Sequence, residues 1–149
     1  MREVTAPTGA GRTLAVRALR GAIQVDRDDP ATISTATATL VREVLARNGI
    51  TADDVISVFF TMTPDLVAAF PAAAAREIGL ADVPLLCSTE IAVPGALPRV
   101  IRLLAHIETS RPRSALRHVY LHGAERLRPD LRPDTTPSST DGRTLQWSS

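Results

Sequence analysis

The chain has 149 residues and a net charge of +1, from 17 basic and 16 acidic side chains. Three Phe, one Tyr and one Trp, with no basic block, argue against a nucleic-acid surface, which needs a basic stripe or a stacking platform. The single cysteine, Cys87, excludes an intrachain disulfide framework, and no apolar run reaches the ~18 residues of a membrane helix. The length suits one domain that buries roughly two thirds of its unfolded surface. The start, Met1 to Pro7, lacks the apolar segment of a signal peptide, so a soluble cytoplasmic protein without nucleic-acid or membrane partners is expected.

In chain order, residues 1–13 read as a loose extension, 14–132 as the globular domain and 133–149 as a disordered tail. Leu14 to Val25 reads as a first strand. Asp28-Asp29-Pro30 offers a helix cap with proline in the first turn. Ile33, Ala36, Leu40 and Val44 follow at helical spacing, Val41 and Leu45 widen the stripe, and Asn48-Gly49 ends it. Val55 to Phe60 is a second strand and Thr63-Pro64-Asp65 a turn. A shorter helix begins near Pro71, with Arg76 near its end and Gly79 beyond. Val83 to Cys87 is a third strand, Arg99 to Ile107 a fourth and Arg117 to Leu121 a fifth. The order β-α-β-α-β-β-β predicts an α+β fold, a mixed sheet with two helices packed on one side. The other sheet face then needs cover from another subunit, so a small oligomer is expected.

Every basic side chain is arginine, and two of them interrupt apolar strands. Arg20 follows Leu14-Ala15-Val16 and Arg102 stands between Ile101 and Leu103. An arginine buried there is costly unless it meets an anion, and its planar fork matches a carboxylate at two points. A pocket for a small anionic ligand is the expectation. No metal cluster emerges: His118 and His122 share a strand face but stand ~13 Å apart. There is no Gly-x-Ser-x-Gly elbow and no phosphate-binding glycine loop. Cys87 reads as a small buried side chain in preference to a nucleophile, Glu90 by itself as a strand-end carboxylate, and Tyr120 by itself as a core residue with a wet hydroxyl. Arg20, Arg102, Arg128, Glu90 and Tyr120 together suggest a polar pocket whose ligand composition does not name.

The order of segments is more specific. Arg20-Gly21-Ala22, Thr63-Pro64-Asp65-Leu66, Ala69-Phe70-Pro71-Ala72 and Ala75-Arg76-Glu77 come first. Val83-Pro84-Leu85-Leu86-Cys87, Glu90-Ile91, Ile101-Arg102, Arg117-His118-Val119-Tyr120-Leu121 and Leu127-Arg128-Pro129-Asp130-Leu131 follow. This series resembles the monofunctional chorismate mutases of the trimeric pseudo-α/β-barrel type over nearly all of 14–132. The resemblance implies rearrangement of chorismate to prephenate on the route to phenylalanine and tyrosine. It also implies a homotrimer with sites between subunits, and no metal, organic cofactor or covalent intermediate. By that resemblance Arg102 contacts the ether oxygen of the breaking bond, and Arg20 binds the side-chain carboxylate. Glu90 and Cys87 stand near the ring hydroxyl, and Tyr120 meets a carboxylate. The same likeness makes Phe70, Ala72 and Leu85 apolar walls. Leu86, Ser88 and Thr89 run along the ligand, and Arg76, Leu127 and Arg128 lie near the mouth, the last on a closing C-terminal segment. Ala73 stands where the family often has lysine, which weakens the expected attraction for a dianion, and Leu86 replaces a common threonine. The competing expectations are a non-catalytic carboxylate-binding or regulatory trimer on the same fold, and a trimeric imine or enamine hydrolase of similar shape.

Overall fold

The protein is described by a computed structural model over residues 13–131. The expected N-terminal extension, but for Thr13, and the expected tail lie outside the described residues. The elements are β1 (Ala15–Gln24), α1 (Pro30–Asn48), β2 (Val55–Met62), α2 (Pro71–Ala75), β3 (Leu85–Thr89), β4 (Val100–Thr109) and β5 (Val119–Leu121). They form a five-stranded mixed sheet in the order β3-β2-β4-β1-β5. β4 runs antiparallel to both β1 and β2, while β3 and β5 join the edges in parallel with β2 and β1.

The first helix follows its sequence signals. The Asp29 carboxylate accepts the Thr32 backbone N–H at 2.8 Å and the Thr32 hydroxyl at 2.7 Å, while Pro30 fills the first turn. Gly49 ends the helix in the left-handed region at φ 59°, which an L side chain rarely adopts. The apolar stripe Ile33, Ala36, Leu40, Val41 and Val44 is buried, and Thr37 joins it by returning its hydroxyl to the Ile33 carbonyl. Asn48 does more than precede a stop signal. Fully buried, it donates to the Val44 and Arg117 carbonyls and accepts the Arg117 N–H, tying the helix end to the chain leading into β5.

Both helices pack on one sheet face. Leu19 and Ile23 of β1, Val58 and Phe60 of β2, and Ile101, Leu103, Ala105 and Ile107 of β4 meet Ile33, Leu40 and Val44 from α1 and Ala72 and Ala75 from α2. These strand residues recur with period two, so their neighbours Ala22, Phe59, Thr61, Arg102 and Leu104 belong to the opposite face. Gly21 lets α1 lie against the sheet: a Cβ there would stand 3.1 Å from Leu40 Cδ1 and 3.2 Å from Val44 Cγ2.

Several elements depart from the expected bounds. The third strand begins at Leu85, since Pro84 has no N–H to give the ladder, although its carbonyl accepts from Val58. The fourth strand begins at Val100 and reaches Thr109, with Arg99 outside it at φ 51°. Asp65 holds that turn by accepting the Arg99 N–H on both oxygens, and the Thr63 hydroxyl accepts the Val100 N–H. The fifth strand shortens to Val119–Leu121, because the Arg20 N–H goes to the His118 ring Nδ1 at 3.0 Å in place of a ladder carbonyl. The second helix extends as a π turn over Arg76–Leu80, with Gly79 at φ 116°.

Candidate active site

The face away from the helices carries the charged constellation. Register places Tyr120 beside Ala22, Ala22 beside Arg102, Arg102 beside Thr61 and Thr61 beside Ser88. Glu90 follows β3 and is anchored by its N–H to the Met62 carbonyl at 2.8 Å. Its Oε1 lies 2.8 Å from Arg102 Nε and accepts the Thr61 hydroxyl at 2.7 Å. The Glu90 side chain is 17% exposed and that of Arg102 39%. A second, smaller apolar cluster of Ala22, Val100 and Ala124, with Leu97, Tyr120 and Leu127 against it, sits beside this pair.

Beyond β5 the chain makes short 3-10 turns, and Arg128 lies between two of them. Asp130 takes its guanidinium at two points, 2.9 Å from Nε and 2.8 Å from Nη2. That bond is the main reason Arg128 is held further above its ordinary range, with the neighbouring Tyr120 adding to it. The Tyr120 hydroxyl itself is buried and has no well-aligned hydrogen-bond partner among the described residues. Arg20 projects from the same face and is exposed.

The interrupted apolar pattern suggested that Arg20 and Arg102 are buried. Arg20 is exposed and Arg102 only half-buried, because their sheet face has no covering layer within one chain. The remaining expected residues fall into a separate group. Phe70, at the start of α2, is 73% exposed, and Arg76 is exposed on the π turn. Leu85 and Cys87 are half-buried and pack toward the helix-side core, whereas Leu86, Ser88 and Thr89 are exposed. Ala72 is 5% exposed and packed against that core. Cys87 and Glu90, expected as a pair, divide between the two faces.

Thr61 and Asp130 had no sequence signal of their own. A threonine in a strand reads as a pleat residue, and Asp130 reads as a surface acid beside proline. A concavity of about 310 Å3 borders Glu90, lined also by Thr63, Asp65, Ile91, Val93 and Leu97. A larger one, about 420 Å3, lies between β1 and α1 at Gln24, Thr32, Thr35 and Thr39 and contains none of the arginines. The first is lined by no arginine either, so neither concavity by itself is an anion pocket.

His118 links the site to pH. Burial first, then the charges of Arg20 and Arg128, hold its pKa below the ordinary 6.5. Below 6.5 the unfolded chain therefore binds more protons here than the folded one. Its contribution to stability is present at neutral pH and is lost as pH falls. Urea unfolding measured between about pH 7 and about pH 5 should give a falling free energy, with a shallower slope in His118→Gln. An unchanged slope in that variant would assign the effect to other groups. The depressed carboxyls of Asp29 and Asp130 act only in more acid solution, below their ordinary 3.8.

An arginine and a carboxylate of opposite sign, side by side at an open sheet face, with further arginines at the β1–β5 edge, define a site for a small polyanion. The chain matches the family described as chorismate mutase type I over residues 16–131. It is 53% identical over 117 residues to the chorismate mutase AroH of Thermus thermophilus, covering 78% of this chain and 96% of that protein. It is 39% identical over 117 residues to the AroH protein of Bacillus subtilis, covering 78% of this chain and 92% of the relative. A solved chorismate mutase from Clostridium thermocellum superposes with a TM-score of 0.72 at 43% identity, over 73% of this chain and 97% of that one. The chain belongs to the type I chorismate mutase family, and its activity is that isomerase reaction.

Proposed function

We propose that the protein converts chorismate to prephenate at sites shared between subunits of a homotrimer, with Arg102 and Glu90 at the reacting bonds. The observation that carries the assignment is the Arg102–Glu90 pair, 2.8 Å apart on the open face. The rearrangement is unimolecular: one C–O bond breaks while one C–C bond forms, and no nucleophile or proton donor is needed. Charge separates as it proceeds, negative on the ether oxygen and positive toward the ring. Arg102 beside the oxygen and Glu90 beside the ring answer both signs with fixed charges. Arg20, Tyr120 and Arg128 on the substrate carboxylates hold the side chain folded over the ring, which removes much of the entropic part of the barrier. Cys87 needs no covalent role in this scheme.

Shared sites follow from two features. Val16, Phe59, Leu86 and Leu104 are 60%, 36%, 62% and 36% exposed. Phe59 is in register with both Leu104 and Leu86, so these three form one apolar row on the open face. Such a row calls for another protein surface. Moreover β3 and β5 are opposite edges of the sheet, four strand spacings or ~19 Å apart. Arg20, Tyr120 and Arg128 belong to the β5 edge, while Phe70 and Arg76 belong to the layer beside β3. One small ligand cannot span that gap, but the β5 edge of one copy against the β3 edge of the next brings both groups to it. Repeated head-to-tail, such a contact closes into a ring. A free cysteine and the absence of any membrane-length helix among the described residues fit a cytoplasmic setting for this enzyme.

The test is a time-resolved assay of chorismate loss and prephenate appearance with purified protein. Arg128→Ala beside it is expected to raise KM by about tenfold or more while kcat changes little, as for a contact equal in ground and transition states. Binding of chorismate without turnover would leave a carboxylate-binding trimer instead. Ammonia release from imine substrates would identify a hydrolase.

A further inference from the structure

Thr61 faces Arg102 directly across the β2–β4 pair. Its hydroxyl donates to Glu90 Oε1 at 2.7 Å, the same oxygen that lies 2.8 Å from Arg102 Nε. The Arg102 Nε–H is buried yet makes no aligned hydrogen bond among the described residues. The two charges therefore touch without a directed bond, and the directed bond on Glu90 comes from Thr61. Valine would serve the pleat of β2 as well as threonine does. What the hydroxyl adds is a donor to a half-buried carboxylate.

We propose that Thr61 is a positioning residue for the reaction: its hydroxyl holds Glu90 so that Arg102 keeps its N–H groups free for the substrate oxygen. This rests on the assignment of Arg102 and Glu90 given above. Without the Thr61 donor, Glu90 is free to turn and take Arg102 in a two-point pair, the geometry that guanidinium and carboxylate favour. The guanidinium is then engaged by the protein when the transition state needs it. The loss falls on kcat, because substrate carboxylates still find Arg20 and Arg128.

Thr61→Val keeps the shape and removes the donor, and Thr61→Ser keeps the donor. Thr61→Val is expected to lower kcat by about tenfold with KM within about twofold, and Thr61→Ser to stay within about threefold of the parent enzyme. In an Glu90→Ala background, Thr61→Val is expected to have no further effect on kcat, since the hydroxyl then has nothing to hold. Full kcat in Thr61→Val overturns the proposal. So does the same fractional loss with and without Glu90, or a loss that Thr61→Ser shares. If Arg102→Ala and Glu90→Ala both keep kcat, the reading of the site itself fails. If they lose it and Thr61→Val does not, only the role of Thr61 falls.

Discussion

Arg102→Ala is expected to lower kcat by at least about a hundredfold, ~3 kcal/mol of transition-state stabilisation, with a smaller change in KM. The size follows from the place of the side chain. Arg102 projects from β4, paired on both sides by β1 and β2, so its backbone is held by the best-connected strand of the sheet. A charge held this rigidly needs little reorganisation when negative charge develops on the ether oxygen. The interaction is weak in the ground state, where that oxygen is an uncharged ether, so its loss appears in kcat. Arg102→Lys keeps the charge but loses the planar fork and is expected to fall between the two. Removing Arg102 also strips Glu90 of its counter-charge, so thermal unfolding should be followed in parallel. Steady-state kinetics on prephenate formation decide the matter. A loss confined to KM contradicts a role at the breaking bond.

Mixing two inactive variants is expected to restore activity. Arg102→Ala damages the group on the β1, β4 and β5 side, and Arg76→Glu places a negative charge in the group beside β3. Each variant alone should be slow, the first through kcat and the second through repulsion of a dianion. In the proposed trimer, a shared site is intact when its first group comes from the Arg76→Glu chain and its second from the Arg102→Ala chain. A head-to-tail ring of three that holds both chains has one such site among its three, so about one third of the sites recover in mixed trimers. Co-expression with separate tags, purification of mixed trimers and the prephenate assay give the value. Activity that stays at the level of the single variants would locate each site within one chain.

The elements were legible because their signals are local. Asp29-Pro30 and Asn48-Gly49 bound a helix whatever surrounds them, since caps act within one turn. The alternation from Ile101 to Ile107 separates the helix-side face of β4 from the face that carries Arg102. Boundaries slipped where a nonlocal partner decides them. Arg99 leaves the strand because Asp65, far back in sequence, takes its N–H, and β5 shortens because the His118 ring displaces a carbonyl.

The candidate site was legible as a set of residues but not as a geometry. Cys87 and Glu90 are near in sequence, yet they serve opposite faces, and Ala72 lies in the core although a neighbour, Phe70, is exposed. Thr61 carried no signal, because a hydroxyl in a strand has meaning only once its acceptor is known. The sequence by itself determined the helix and its caps, the five strands, the alternation of faces and the arginine-rich composition, all properties of short-range sterics and periodicity. Only the tertiary structure decided which side chains meet. Sheet order and register bring Thr61, Glu90 and Arg102 together from three separate segments, and they put β3 and β5 at opposite edges. Those contacts depend on long-range pairing, whose energy comes from burying the helix-side core and is not written in any local stretch of chain.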